Sequence, residues 1–271
     1  LVNKKTIITT NTSGLSLEAL SNQMSPKFQF AAMHFHLGSR LVDIVKGTHT
    51  NEETIKSIKN FIKTLGCHGI EFKNRNSSYA LNPMLGALTS QSMLMVIEGK
   101  YSIDEIDGAW KAINNNNIGP FGIMDMLGLD IINNAWQEQD KESRLIEYKD
   151  KILKFLSPYI NRNYLGIKSG KGFLSYPSID IGHKKNNYEI IQKDLYIGII
   201  EAALLLLADN VLDKNDINKV WTIGTSLKKG PIDILDNMGK ENFKKQYKNW
   251  VNKEYISPRS SEIILRLIDT I

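Results

Sequence analysis

QSMLMVIEGKYSIDEIDGAWKAINNNNIGPFGIMDMLG, residues 91–128, is answered by AALLLLADNVLDKNDINKVWTIGTSLKKGPIDILDNMG, residues 202–239. The two stretches align without a gap at a constant offset of 111 residues, which puts Leu94 on Leu205, Ile106 on Ile217 and Trp110 on Trp221. Gly119-Pro120 falls on Gly230-Pro231, Ile123 on Ile234, Asp125 on Asp236 and Gly128 on Gly239. Each stretch reads as an apolar helix, a turn, a second helix ending in Trp, a polar loop, and Gly-Pro opening a third helix. Proline is tolerated at a helix start because the N–H it lacks would have had no partner there. So long an ungapped series points to a duplicated helical domain.

Upstream the pattern changes. Lys5–Thr10 is a β-branched strand running into Asn11-Thr12-Ser13-Gly14, after which Ser16 can cap a helix with Glu18 in its first turn. Phe28–His34 and Leu41–Val45 read as short strands, and Gly69–Phe72 as a last one. Between them Thr50 and Glu53 form a capping box, and Ile55, Ile58, Ile62 and Leu65 make one apolar helix face that Gly66 stops. Alternating strand and helix is the pattern of the back half of a wound α/β sheet. Leu1 opens in LVNKKTIITTN, which reads as a strand in mid-sheet rather than a beginning. From Ser77 the period is helical: Tyr79–Glu98, a helix capped by Ser102 and Glu105, Leu145–Leu156, then a glycine-rich turn from Leu165 to Phe173. Residues 178–188 read as a linker, and the second copy lacks a matching glycine-rich tail. The expected division is 1–75 as the remnant of an α/β domain, 76–180 as a first helical domain and 181–271 as its repeat.

Composition is globular, with 42% apolar and 23% charged residues. The longest apolar runs fall far short of the roughly 20 residues a membrane span needs. One cysteine, Cys67, excludes an internal disulfide and fits a reducing compartment; with no secretory leader, a cytoplasmic location is expected. The net charge of +5 comes from scattered lysines, not from a basic stripe interleaved with aromatics, so nucleic acid is not an expected partner.

His34 ends a strand and Asp43 sits in the next, an arrangement in which a carboxylate can fix the tautomer of a general base. His36 faces the same way as His34 in a strand, but no third ligand stands at a recognisable spacing, so no metal is expected. Gly170-Lys171 suggests a phosphate loop and fails it, since Gly172 stands where Ser or Thr must bind the metal. No G-x-G-x-x-G occurs.

In order, Thr10-Asn11-Thr12-Ser13-Gly14-Leu15, His34-Phe35, Leu41-Val42-Asp43-Ile44-Val45, Asn82, Gly119-Pro120 and Gly170-Lys171-Gly172-Phe173 resemble the 3-hydroxyacyl-CoA dehydrogenase family. The resemblance covers nearly the whole chain, including the duplicated helical domain of some members. It implies the C-terminal part of a Rossmann-type α/β domain followed by two repeated α-helical domains. It further implies NAD as cofactor, an acyl-CoA substrate, and reversible hydride transfer between 3-hydroxyacyl and 3-oxoacyl thioesters in fatty-acid β-oxidation.

By the same resemblance His34 is the base that takes the proton of the 3-hydroxyl, Asp43 stands where the family has Glu holding that histidine, and Ser13 bonds near the reacting oxygen. Asn82 orients substrate and histidine, and Asn11, Ser13 and Lys168 touch the cofactor. The sequence departs from the family in lacking the glycine-rich dinucleotide turn, in a loop between His34 and Asp43 shorter by three residues, and in Pro83 where Arg is usual. Without that turn the chain as it stands is expected to be inactive. Two other readings stay open: a dead remnant acting as a helical association module, and a dehydrogenase of another small 3-hydroxy acid. The chain is expected to be monomeric or homodimeric, with its second copy packed on the first about a pseudo-two-fold axis in imitation of a dimer contact.

Overall fold

The computed structural model describes residues 3, 5–12, 16–25, 27–36, 38–73, 79–139, 145–177, 187–253, 256 and 260–271. The β-branched and apolar runs near the amino end form β1 (Ile8–Thr10), β2 (Phe30–Phe35), β3 (Leu41–Lys46) and β4 (His68–Glu71), with helices α1 (Leu17–Ser21) and α2 (Glu52–Thr64) between them. They make one mixed sheet in the order β1-β2-β3-β4. β1 runs parallel to β2, β2 antiparallel to β3, and β3 parallel to β4. Then follow α3 (Leu81–Ile97), α4 (Ile103–Asn114), α5 (Pro120–Leu127), α6 (Leu129–Gln137), α7 (Lys149–Asn161), α8 (Tyr188–Ala208), α9 (Lys214–Thr225), α10 (Pro231–Met238), α11 (Lys240–Asn252) and α12 (Ser261–Thr270). Among the described residues, no helix is long and apolar enough to cross a membrane.

Two compact units share the chain. One comprises Leu1–Met84 and Ala203–Ile234, the other Leu85–Ala202 and Leu235–Ile271. This grouping cuts across the linear division at 75 and 180, because residues of the last segment fall in both units.

In the first unit the period of two along the strands sorts the side chains. Ala31 and Met33 of β2 and Val42 and Ile44 of β3 pack with Ile55, Ile58 and Ile62 of α2. Each valine or isoleucine side chain so withdrawn from water contributes about 1.5–3 kcal/mol. Gly69 lets α2 lie this close, since a Cβ there would stand 2.8 Å from Ile44 Cδ1 and 3.2 Å from Ile62 Cδ1. The alternate positions, among them His34 and Asp43, point to the opposite face. α9 packs against β3 and β4, burying Ile217, Val220 and Trp221.

The start of α2 corrects the expected capping box. Asn51, not Thr50, is the N-cap, and its side chain accepts the Thr54 N–H at 2.8 Å. The Thr50 hydroxyl is already engaged in closing the turn after β3: it accepts the Gly47 N–H at 2.8 Å and donates to the Phe30 carbonyl. Ser16 caps α1 and Ser102 with Glu105 forms the capping box of α4, as the sequence indicated.

In the second unit a pair of buried carboxylates fixes α5 at both ends. Asp107 of α4 accepts the N–H groups of Phe121 and Gly122 at 2.8 and 3.0 Å, satisfying orphan donors of the first turn. Burial raises the Asp107 carboxyl to about 6 against that hydrogen bonding. Asp125 accepts from Phe173 N–H, Leu174 N–H and the Tyr176 hydroxyl at 2.9, 2.9 and 3.0 Å. The turn that suggested a phosphate loop is glycine-rich for this reason: a Cβ on Gly172 would meet Asp125 Oδ1 at 2.1 Å.

Candidate active site

The carboxyl ends of two parallel strands, where open α/β sheets bind ligands, lie side by side at β1 and β2. Asn11 leaves β1 and its Oδ1 accepts the Phe35 N–H at 2.8 Å, so a side chain continues the β1–β2 ladder beside His34. Tyr79 stacks on the His34 ring, with centroids 4.1 Å apart and planes 11° from parallel, and donates its hydroxyl to the Thr12 carbonyl. Burial first, and then the charge of Asp43, raises the Tyr79 pKa, so the phenol stays a neutral donor at neutral pH.

His34 stands opposite Asp43 in the antiparallel register. Its Nδ1 lies 3.8 Å from Asp43 Oδ2, beyond the reach of a hydrogen bond. The carboxylate instead engages His36, whose Nε2 is 2.7 Å from the same oxygen. The short loop explains the exchange. His36 N–H donates to the Leu41 carbonyl and Ser39 N–H to the His36 carbonyl, with Gly38 at φ +74°. The tight connection keeps His36 on the sheet, diagonal to Asp43 and on the face of His34. The two imidazoles meet edge to face, with centroids 4.7 Å apart.

Burial makes the arrangement consequential. Asp43 is fully buried, and His34 and His36 are each 9% exposed. Among the described residues His34 Nδ1 and Asp43 Oδ1 have no hydrogen-bond partner. A buried carboxylate is costly unless paired, and here one imidazole is bonded to it while a second stands within 4 Å.

The remaining sequence candidates are not all gathered here. Asn82 is exposed in the first turn of α3, and no hydrogen bond among the described residues joins it to His34. Ser13 lies outside the described residues. Lys168 belongs to the second unit, where it pairs with Asp130 at 2.5 Å and holds that carboxyl below its ordinary range. Sequence reasoning did not assign Tyr79 or the bond between His36 and Asp43. Alternation along His34-Phe35-His36 signalled only that the two histidines share a face.

The family model described as 3-hydroxyacyl-CoA dehydrogenase, NAD binding domain, matches residues 1–75, and that described as the C-terminal domain of the same enzymes matches 79–176. The mitochondrial hydroxyacyl-coenzyme A dehydrogenase of Sus scrofa is 30% identical over 177 residues, covering 63% of this chain and 55% of that protein. A probable 3-hydroxybutyryl-CoA dehydrogenase of Bacillus subtilis is 27% identical, over 63% of this chain and 60% of that protein. Thus the chain spans little more than half the length of the curated relatives it matches. The solved 3-hydroxybutyryl-CoA dehydrogenase of Escherichia coli superposes with a TM-score of 0.76 at 15% identity, covering 99% of this chain and 77% of that one, a likeness of fold. The (S)-3-hydroxybutyryl-CoA dehydrogenase of Ralstonia eutropha is 27% identical with a TM-score of 0.52, over 64% of this chain and 61% of that one. With both domain models matched in order across residues 1–176, the chain belongs to the 3-hydroxyacyl-CoA dehydrogenase family.

Proposed function

We propose that this chain is the part of an NAD-dependent 3-hydroxyacyl-CoA dehydrogenase that carries the catalytic base. The observation that carries the reading is His34 itself: at the carboxyl end of β2, held by the Tyr79 stack, with Nδ1 turned toward Asp43 at 3.8 Å. In the oxidative direction His34 takes the proton of the 3-hydroxyl. Asp43 lies within 4 Å and stabilises the imidazolium that forms. His36 holds Asp43, so it positions the acid rather than touching substrate. Asn82, with an exposed amide, orients the thioester, and Ser13 assists at the reacting oxygen.

Bound NAD supplies the acceptor for the hydride. The residues present fit only its nicotinamide end: Asn11 is anchored through Oδ1 to Phe35, which leaves its NH₂ as a donor at the strand end. A glycine-rich pyrophosphate turn is not among the 271 residues, and Lys168 reaches a cofactor only by giving up Asp130.

The helical part we read as two copies of one unit. The bounds of α4 and α9, and of α5 and α10, differ by the same 111 residues as the sequence, and α6 and α11 begin at that offset. Gln91 of α3 accepts the Gly198 N–H of α8 at 2.9 Å. Exchanging copies carries this pair onto Ala202 and Ala87, both buried, as a pseudo-two-fold imitation of a dimer contact requires.

NADH oxidation by a series of 3-oxoacyl-CoA esters and the matching free 3-oxo acids, with the full-length protein that contains these residues, tests the substrate. Turnover of the thioesters and not of the acids is expected. Turnover of the acids alone would replace acyl-CoA by another small 3-hydroxy acid, and no turnover of either would make the chain a non-catalytic relative.

A further inference from the structure

We propose that His34, His36 and Asp43 form a binding site for a divalent transition-metal ion, zinc in the first instance. The three side chains are buried together, and each offers a donor atom within 4.8 Å of the others. Two imidazoles with one carboxylate is a donor set that zinc takes in three-ligand sites whose fourth position is left to water. Sequence spacing hid the third donor, because Asp43 reaches the histidines only through the β2–β3 register.

A second observation is independent of the donor count. His34 Nδ1 and Asp43 Oδ1 are both buried without a hydrogen-bond partner among the described residues. A buried polar atom left so is costly, and an ion bonded to His34 Nδ1 and to the carboxylate gives the imidazole nitrogen its partner and neutralises the buried charge of Asp43. The distances permit it. Bonds of about 2.0–2.2 Å in tetrahedral geometry put donors roughly 3.3 Å apart. The separation of 3.8 Å between His34 Nδ1 and Asp43 Oδ2 needs little change, and the 2.7 Å contact between His36 and Asp43 opens by a fraction of an ångström as its hydrogen bond gives way to two metal bonds.

Support around the ligands is in place. Tyr79 stacked on one face of His34 and Asn11 bonded to Phe35 fix the ring that must point at the ion. The His34 and His36 side chains keep 11% and 7% of their surface exposed, so the cluster borders solvent. The inference stands on the donor geometry and does not require the dehydrogenase reading.

Titration of the metal-stripped 271-residue chain with Co²⁺ tests it through the visible absorption of a tetrahedral site. One equivalent is expected to develop the band, and one equivalent of Zn²⁺ to displace it. His36→Gln and Asp43→Asn should weaken binding by more than the roughly 10–100-fold that losing an outer partner costs, whereas replacing the exposed His49 or His68 by Gln should leave it intact. Long-range ¹H–¹⁵N spectra of the wild-type imidazoles need no variant, and Zn²⁺ should shift only His34 and His36. Absence of saturable binding, a band that survives both ligand variants in folded protein, or zinc shifts at other histidines would each overturn the proposal.

Discussion

Choice of partner by Asp43 shows what one residue's surroundings decide. The sequence placed His34 and His36 on one face by alternation and Asp43 in the next strand, and that part was legible. It could not say which imidazole the acid would hold, because this depends on how tightly the five residues between β2 and β3 turn; with Gly38 at φ +74° in that turn, His36 comes to 2.7 Å and His34 stays at 3.8 Å. Asp107 is a second case, legible as a helix residue but not as the group that holds α5. Its pKa, raised from 3.8 to about 6 by burial, has a definite consequence. The folded protein binds more protons than the unfolded chain between these values, so this residue's contribution is fully present below pH 3.8 and is lost as pH rises through about 6. The shift corresponds to about 3 kcal/mol. Asp107→Asn keeps one acceptor and does not titrate. The stability of wild type relative to Asp107→Asn, measured by urea unfolding, should fall by that order between pH 4 and pH 7; a pH-independent difference would mean the carboxyl ionises in the fold as it does in water.

At the scale of elements, helix starts were mostly legible because caps are local chemistry: Ser16 and Ser102 do what their spacing says. Thr50 failed because its hydroxyl had a tertiary use that no local pattern contains. The Gly-Pro helix start shows how one geometry is met by different residues. Where Asp107 accepts two N–H groups above α5, Asn218 accepts the Ile232 N–H at 2.9 Å and donates to Asp233 at 2.8 Å. Asp233 sits in the first turn of α10 at the offset where α5 has Gly122, so an amide at position 218 can both accept an N–H and donate to that carboxylate. Glycine was legible in the Gly166–Gly172 turn, but its cause, the close approach of Asp125, was not. Gly172→Ala is expected to destabilise by about 1–3 kcal/mol through overpacking. Gly86→Ala, where a Cβ meets nothing within 4 Å, should stabilise α3 by roughly 0.5–1 kcal/mol. Thermal unfolding of the two variants checks both, and equal shifts would remove the steric reading of the turn.

For the whole molecule the sequence announced a strand-and-helix part and a helical part, and the chain folds as a four-stranded mixed sheet with helices. What it could not announce is that the sheet's unit includes Ala203–Ile234, with α9 against β3 and β4. Contacts at large sequence separation leave no periodic trace, so a linear reading divides the chain where composition changes and not where packing does. The functional account needs the sheet face under these elements to present a base at position 34. Single-turnover hydride transfer from NADH to acetoacetyl-CoA, followed in chelator with the full-length protein, compares His34→Gln with His36→Gln directly. The account predicts a loss of about 10²–10⁴ for His34→Gln, with a smaller loss for His36→Gln. Undiminished transfer in His34→Gln, with the large loss falling on His36→Gln instead, would contradict it.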